Sequence, residues 1–157
     1  MLDNVQAKTK ATDTLSVEEQ QQFLYYFYEA QRLIQKEDIE PAWELVQFCY
    51  QINPNDAAIN NYMGVFLDAF GRSQEVIPYL RRAFELQPNE YWYQYAVYLL
   101  QSNDKKAEKT AIRNLEQVAK NNPKNEELHT LLQKAYIHVK DYKKALQGFT
   151  VTVDGRT

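Results

Sequence analysis

One cysteine, four glycines and five prolines in 157 residues leave little of what punctuates small folds, and each scarcity excludes something. With Cys49 alone, no disulfide forms within the chain and no zinc site rests on paired cysteines. No stretch reaches the roughly eighteen consecutive apolar residues of a membrane-spanning helix. The N-terminus, MLDNVQAKTKATDTLS, offers no apolar segment to act as a signal or anchor. The two histidines, His129 and His138, stand nine residues apart, not at the three or four that place two metal ligands on one helical face. No glycine-rich phosphate loop and no nucleophile elbow is written anywhere. The sequence therefore gives no footing to an enzyme and implies no metal and no cofactor.

What is present favours helix: Tyr, Gln, Leu, Ala, Glu and Lys dominate, and the expected fold is all-α. A chain of this length buries about two thirds of its unfolded surface and needs no covalent staple. The formal charge of −3 hides an asymmetry. Residues 1 to 99 carry seven Lys/Arg against fourteen Asp/Glu, whereas residues 100 to 157 carry eleven against seven. The basic end, with Lys105, Lys106, Lys109, Lys120, Lys124, Lys134, Lys140, Lys143 and Lys144, raises nucleic acid as a partner. Its lysines are scattered among acids and lack arginine–aromatic pairing, so a solvated face is the better reading and no nucleic acid is expected.

Three prolines recur in one phrase: INPND at Pro54, LQPNE at Pro88 and NNPKN at Pro123, 34 and 35 residues apart. A fixed period of this length marks an internal repeat. It divides the chain into units at 23–56, 57–90, 91–125 and from 126 to about 150. Ala42, Val76 and Ala111 each stand twelve residues before their proline, and Val46, Leu80 and Leu115 eight before it. Four residues apart is one helical turn, so each pair shares a face. Each unit reads as two antiparallel helices, the second ending near its proline. Ser16 with Glu19 suits a capping box, Pro41 suits a first turn, and Ser73 with Glu75 opens the fourth helix after a turn at Gly71. Pro78, five residues into that helix, is expected to cost a hydrogen bond or to bend it.

These residues resemble the tetratricopeptide repeat family. Tyr26, Ala30, Leu33, Ala42, Val46, Cys49 and Pro54 fit its pattern of large and small residues in the first unit. Met63, Gly64, Leu67, Leu80, Ala83 and Pro88 fit it in the second, and Leu132, Tyr136, Tyr142, Ala145 and Phe149 in the fourth. Glu29, Asn60, Val76 and Gln133 depart from it. The resemblance covers roughly residues 23–149 and implies a right-handed α-solenoid of about four helix pairs, the last incomplete. Residues 1–15 are expected to be disordered or a linker, and 151–157 a tail. A narrower similarity links LSVEEQQQFLYYFYEAQRL and NEYWY to the start of mature bacterial envelope tetratricopeptide proteins. That similarity implies export to the periplasm or envelope if a leader precedes Met1, and otherwise a cytoplasmic protein.

The third unit departs from the pattern at EYWYQYAVYLL, Glu90 to Leu100. At about 100° per residue, Trp92, Tyr95, Ala96 and Leu99 fall on one apolar stripe and Gln94 and Gln101 opposite it. The repeat motif is thus shifted by two residues, and a longer turn, SNDKKAEK before Thr110, is expected to make up the difference. In the family, the first helices line a concave groove. The resemblance implies groove residues Leu24, Phe27, Gln31 and Ile34; Asn61, Val65 and Asp68; Tyr93, Val97 and Leu100; and Thr130, Lys134 and His138. Tyr25, Tyr28, Tyr62 and Tyr91 are expected to be exposed elsewhere. The family's clamp for a partner's terminal carboxylate would fall on Phe27 and Gln31, which do not match it.

The function so implied is a protein-interaction module that binds a peptide or protein segment in its groove. Its alternatives are a scaffold that self-associates through exposed solenoid ends and an accessory of an envelope nutrient-capture complex. After Phe149 the sequence TVTVDGRT has no capping helix. Further repeats, a partner or a second copy of the chain is expected at that end.

Overall fold

A computed structural model describes residues 14–147. The expected N-terminal linker, Phe149 and the C-terminal tail lie outside the described residues, apart from Thr14 and Leu15. The described helices fall into two compact units, Met1–Gln87 and Pro88–Thr157. No described helix is long and apolar enough to cross a membrane.

In the first unit α1 (Val17–Gln35) pairs with α2 (Ile39–Ile52), and α3 (Ala57–Ala69) pairs with α4 (Val76–Leu86). Ser16 starts α1 by accepting a hydrogen bond from the Glu19 amide at 3.1 Å, one of the donors a helix start leaves over. Asp56 does the same for α3, from the Ile59 amide at 2.9 Å. Ala30, Leu33, Ala42, Val46, Cys49, Ile59, Met63 and Phe66 close one core, with small residues on one helix facing large ones on the next. Where the pattern wanted a large residue, Asn60 is buried at 2 % exposure. It is tolerated because its amide donates to the Pro54 and Asp56 carbonyls at 2.9 and 2.8 Å.

Two sequence expectations change here. Ser73 opens a 3₁₀ turn, Ser73–Glu75, rather than the α-helix, and α4 begins only at Val76. Pro78 is therefore the third residue of α4, inside the first turn, where an amide has no helical acceptor in any case. The expected lost hydrogen bond does not arise.

In the second unit α5 (Pro88–Gln101), α6 (Lys105–Asn121) and α7 (Glu126–His138) are followed by a helical segment at 142–147. After Pro54 and Pro123 the chain makes a short turn to a capping Asp56 or Asn125 before the helix begins. After Pro88 no such turn intervenes, and Tyr91 breaks the helical conformation at φ −114°, ψ 24°. The helix beyond it buries Trp92, Tyr95, Ala96 and Leu99 and exposes Gln94 and Gln101, as the shifted register requires. The compensating residues are not a long turn. Asn103 takes a left-handed φ of 56°, Asp104 accepts from the Lys106 amide at 3.2 Å, and α6 starts at Lys105, one and a half turns before Thr110. Gln133, at a position meant for a small residue, donates its amide to the Ala145 carbonyl at 3.1 Å.

Candidate functional site

The residues proposed to line a binding face divide between the two units, and each part stands by itself. In the first unit Leu24, Phe27 and Gln31 follow helical spacing along α1, as do Asn61, Val65 and Asp68 along α3. The same 3.6-residue period that buries Ala30, Leu33, Met63 and Leu67 turns these others outward. Leu24 and Val65 are exposed at 48 % and 40 %, Asp68 is exposed, and Phe27, Gln31 and Asn61 are half-buried.

Tyr62 joins the two helices. Its ring lies 6.2 Å from that of Phe27, and its hydroxyl accepts a hydrogen bond from Gln31 Nε2 at 3.4 Å. Phe27 also stacks on Phe23 at 5.9 Å, which fixes the ring from the core side. Tyr62 was expected to be an exposed ring on another surface; it is half-buried and belongs to this one. The available signal was its place one turn before Phe66, a neighbour in the core. Asn61 Oδ1 is buried with no hydrogen-bond partner. Ile34 is packed against the core, so less of it faces outward than its mapping implies.

In the second unit Tyr93 is 42 % exposed, with its ring edge-on to Trp92 at 5.7 Å, and Val97 and Leu100 are half-buried beside it. Thr130, Lys134 and His138 are exposed on α7. Among the described residues no hydrogen bond, ion pair or ring contact ties Lys134 to the α5 set. His138 turns instead to Glu108 of α6, Nε2 to Oε1 at 3.1 Å. Tyr91 is half-buried rather than exposed, while Tyr25 and Tyr28 are exposed at 69 % and 64 %.

Cys49 has no exposed surface, and its thiol donates to the Phe23 carbonyl at 3.7 Å. Burial, with a smaller contribution from the charge of Asp56, pushes the thiol up to about 12. At neutral pH it carries no thiolate to act as a nucleophile. It is a small core side chain between α1 and α2.

No protein-family model matches the sequence, and no curated protein matches it. Among solved structures the chain is similar to MamA 41-end from Desulfovibrio magneticus RS-1, with a TM-score of 0.68 at 22 % identity, over 90 % of this chain and 77 % of that one. A structure described as the MamA RS-1 ArsTM double mutant gives 0.69 at 22 % identity, over 90 % and 76 %. YrrB, described as a TPR protein with an unusual peptide-binding site, gives 0.65 at 19 % identity, over 82 % of this chain and 66 % of that one. Similarity at these identities speaks for the architecture. The chain has the all-α tetratricopeptide fold of stacked helix hairpins.

Proposed function

We propose that the chain is a non-catalytic protein-interaction module that captures a peptide or an extended protein segment on its first-helix faces. The observation that carries this reading is the contact of Phe27 and Gln31 with Tyr62 that joins α1 to α3, with the exposed apolar Leu24 and Val65 on the same two helices. Phe27, held by Phe23 and Tyr62, is the aromatic anchor, and Gln31 and Asp68 are polar contacts at its edge. In the second unit Tyr93, Val97 and Leu100 offer an apolar strip, with Lys134 as a charged contact on α7. The likeness to YrrB, a TPR protein described by its peptide-binding site, supports the class of ligand.

Selection of a displayed random peptide library on the full chain tests this. Enriched peptides should lose about tenfold or more in affinity, some 1.4 kcal/mol, on Phe27→Ala. Val65→Lys, which puts a charge on the exposed apolar part of that face, should weaken them too. Peptides that bind both variants as tightly as the parent would place recognition elsewhere.

A second reading rests on a different face. Tyr25, Tyr28 and Phe48 expose about half or more of their surface on the first hairpin, with Phe48 stacked on Tyr26 at 5.8 Å. A self-associating scaffold would bury that face in a second copy. Molecular mass that stays monomeric as concentration rises removes this reading.

A further inference from the structure

Within the second unit, α6, the end of α7 and the helical segment at 142–147 enclose an open cleft of about 740 Å³. That volume lies inside the usual range of about 300–1,000 Å³ for ligand sites. The cleft shares only His138 with the faces described above. Two neighbouring stripes of α6 run along it, each repeating every four residues. The inner stripe, Glu108, Ile112 and Glu116, turns toward α7. There Glu108 meets His138 at 3.1 Å and Glu116 takes the hydroxyl of buried Tyr136. The third carboxylate of the cleft, Asp141, accepts from the Lys144 amide at 3.3 Å. All three acids are thus engaged inside the protein.

The cations are not. Lys105, Lys109 and Arg113 form the outer stripe, and Lys140 and Lys144 stand on the opposite rim. None of the five has an ion-pair partner among the described residues. Lys144 lies 5.8 Å above the Tyr136 ring, and the half-buried Ile112 and Val139 supply an apolar floor. Five cations against three carboxylates leave the cleft with a net positive charge on a chain whose net charge is −3.

We infer that this cleft docks an acidic protein segment in extended conformation, with Asp or Glu at alternate positions. Spacing and stacking both favour that occupant. Residues four apart on a helix rise about 6 Å, and alternate residues of an extended strand are about 6.6 Å apart. Successive carboxylates of such a segment therefore meet Lys105, Lys109 and Arg113 in turn. Single-stranded nucleic acid relies on exposed rings on which bases stack. The ring in this cleft, Tyr136, is only 9 % exposed and lies under Lys144.

The test uses the full chain and a fluorescein-labelled peptide of alternating Ser and Glu, followed by anisotropy. Binding is expected at low ionic strength and should weaken as salt rises, since these charges are exposed to screening. The pair Lys109→Glu and Arg113→Glu should lower affinity by about tenfold or more. Lys120→Glu with Lys124→Glu, basic positions outside the cleft, should leave it unchanged, and so should Phe27→Ala, which separates this site from the proposed peptide face. Circular dichroism on each variant confirms the helices. Equal loss from both charge pairs, no binding at low salt, or displacement of the peptide by a weaker-charged single-stranded oligonucleotide would overturn the assignment.

Discussion

Gly64 shows how tightly individual positions are set. A Cβ built there would lie 2.6 Å from Leu80 Cδ2 and 2.8 Å from Leu80 Cγ, and Leu80 is itself only 3 % exposed. Alanine in place of a mid-helix glycine gains about 1 kcal/mol of helix propensity. Overpacking a closed core costs about 1–3 kcal/mol, so the clash cancels or outweighs the propensity. Gly64→Ala should bring no gain and lower stability by up to about 2 kcal/mol in urea unfolding. Replacing Leu80 by Ala should cost less in the Gly64→Ala background than in the parent, because the two share one volume. The small residue at this position was legible from the repeat pattern, since a recurring small residue means close approach of two helices. Tyr62 was legible only as a neighbour of Phe66, not as the link between two helices. A half-buried ring follows no single face of the wheel, and only the positions of Phe27 and Gln31 on another helix decide where its hydroxyl goes.

At the scale of the element, the period of the chain carried the pairing of helices, because a proline near the end of every second helix is enforced by the missing amide. It also placed Trp92, Tyr95, Ala96 and Leu99 inward, since burial obeys the helical repeat whatever precedes the helix. Helix starts were less legible. They turn on single side chains, as with Asp104, whose bond to the Lys106 amide begins α6 at Lys105. Hydrophobic spacing is silent there because the first turn and a half, KKAEK, is mostly solvated. Pro78 makes the same point with a measurable outcome. A proline in a helix interior costs about 3 kcal/mol, so its removal from such a site is strongly stabilising. In the first turn of α4 no hydrogen bond is lost. Pro78→Ala should therefore stay within about 1 kcal/mol of the parent in chemical unfolding, and a gain near 3 kcal/mol would mean that α4 starts earlier.

Across the whole molecule, the titration of buried groups acts in one direction. Burial pushes Cys49 from its ordinary 9.0 up to about 12, and Tyr136, with Glu116 and Asp141 adding charge, from 10.0 up to about 12. Tyr79 is also raised, first by burial and then by the charge of Tyr50. Each of these groups keeps its proton longer in the folded chain than in the unfolded one. Above pH 9 the unfolded chain therefore binds fewer protons, and stability must fall as pH rises toward about 12; below pH 9 both states hold these protons and the contribution is flat. Among the described residues the acid side lacks a counterpart of that kind. The lowered Glu29 and Glu75 owe their shifts to hydrogen bonds with Arg32 and Arg72, and both sit on the surface, where water and salt screen the gain. Urea midpoints measured across the alkaline range should hold steady up to about pH 9 and then drop. Cys49→Ala should make the drop shallower from its start and Tyr136→Phe only from about pH 10, because each variant deletes one proton from the folded side of the balance at its own unfolded-state value. An alkaline slope unchanged in both variants would mean that neither the Cys49 thiol nor the Tyr136 hydroxyl is held in its neutral form by the fold.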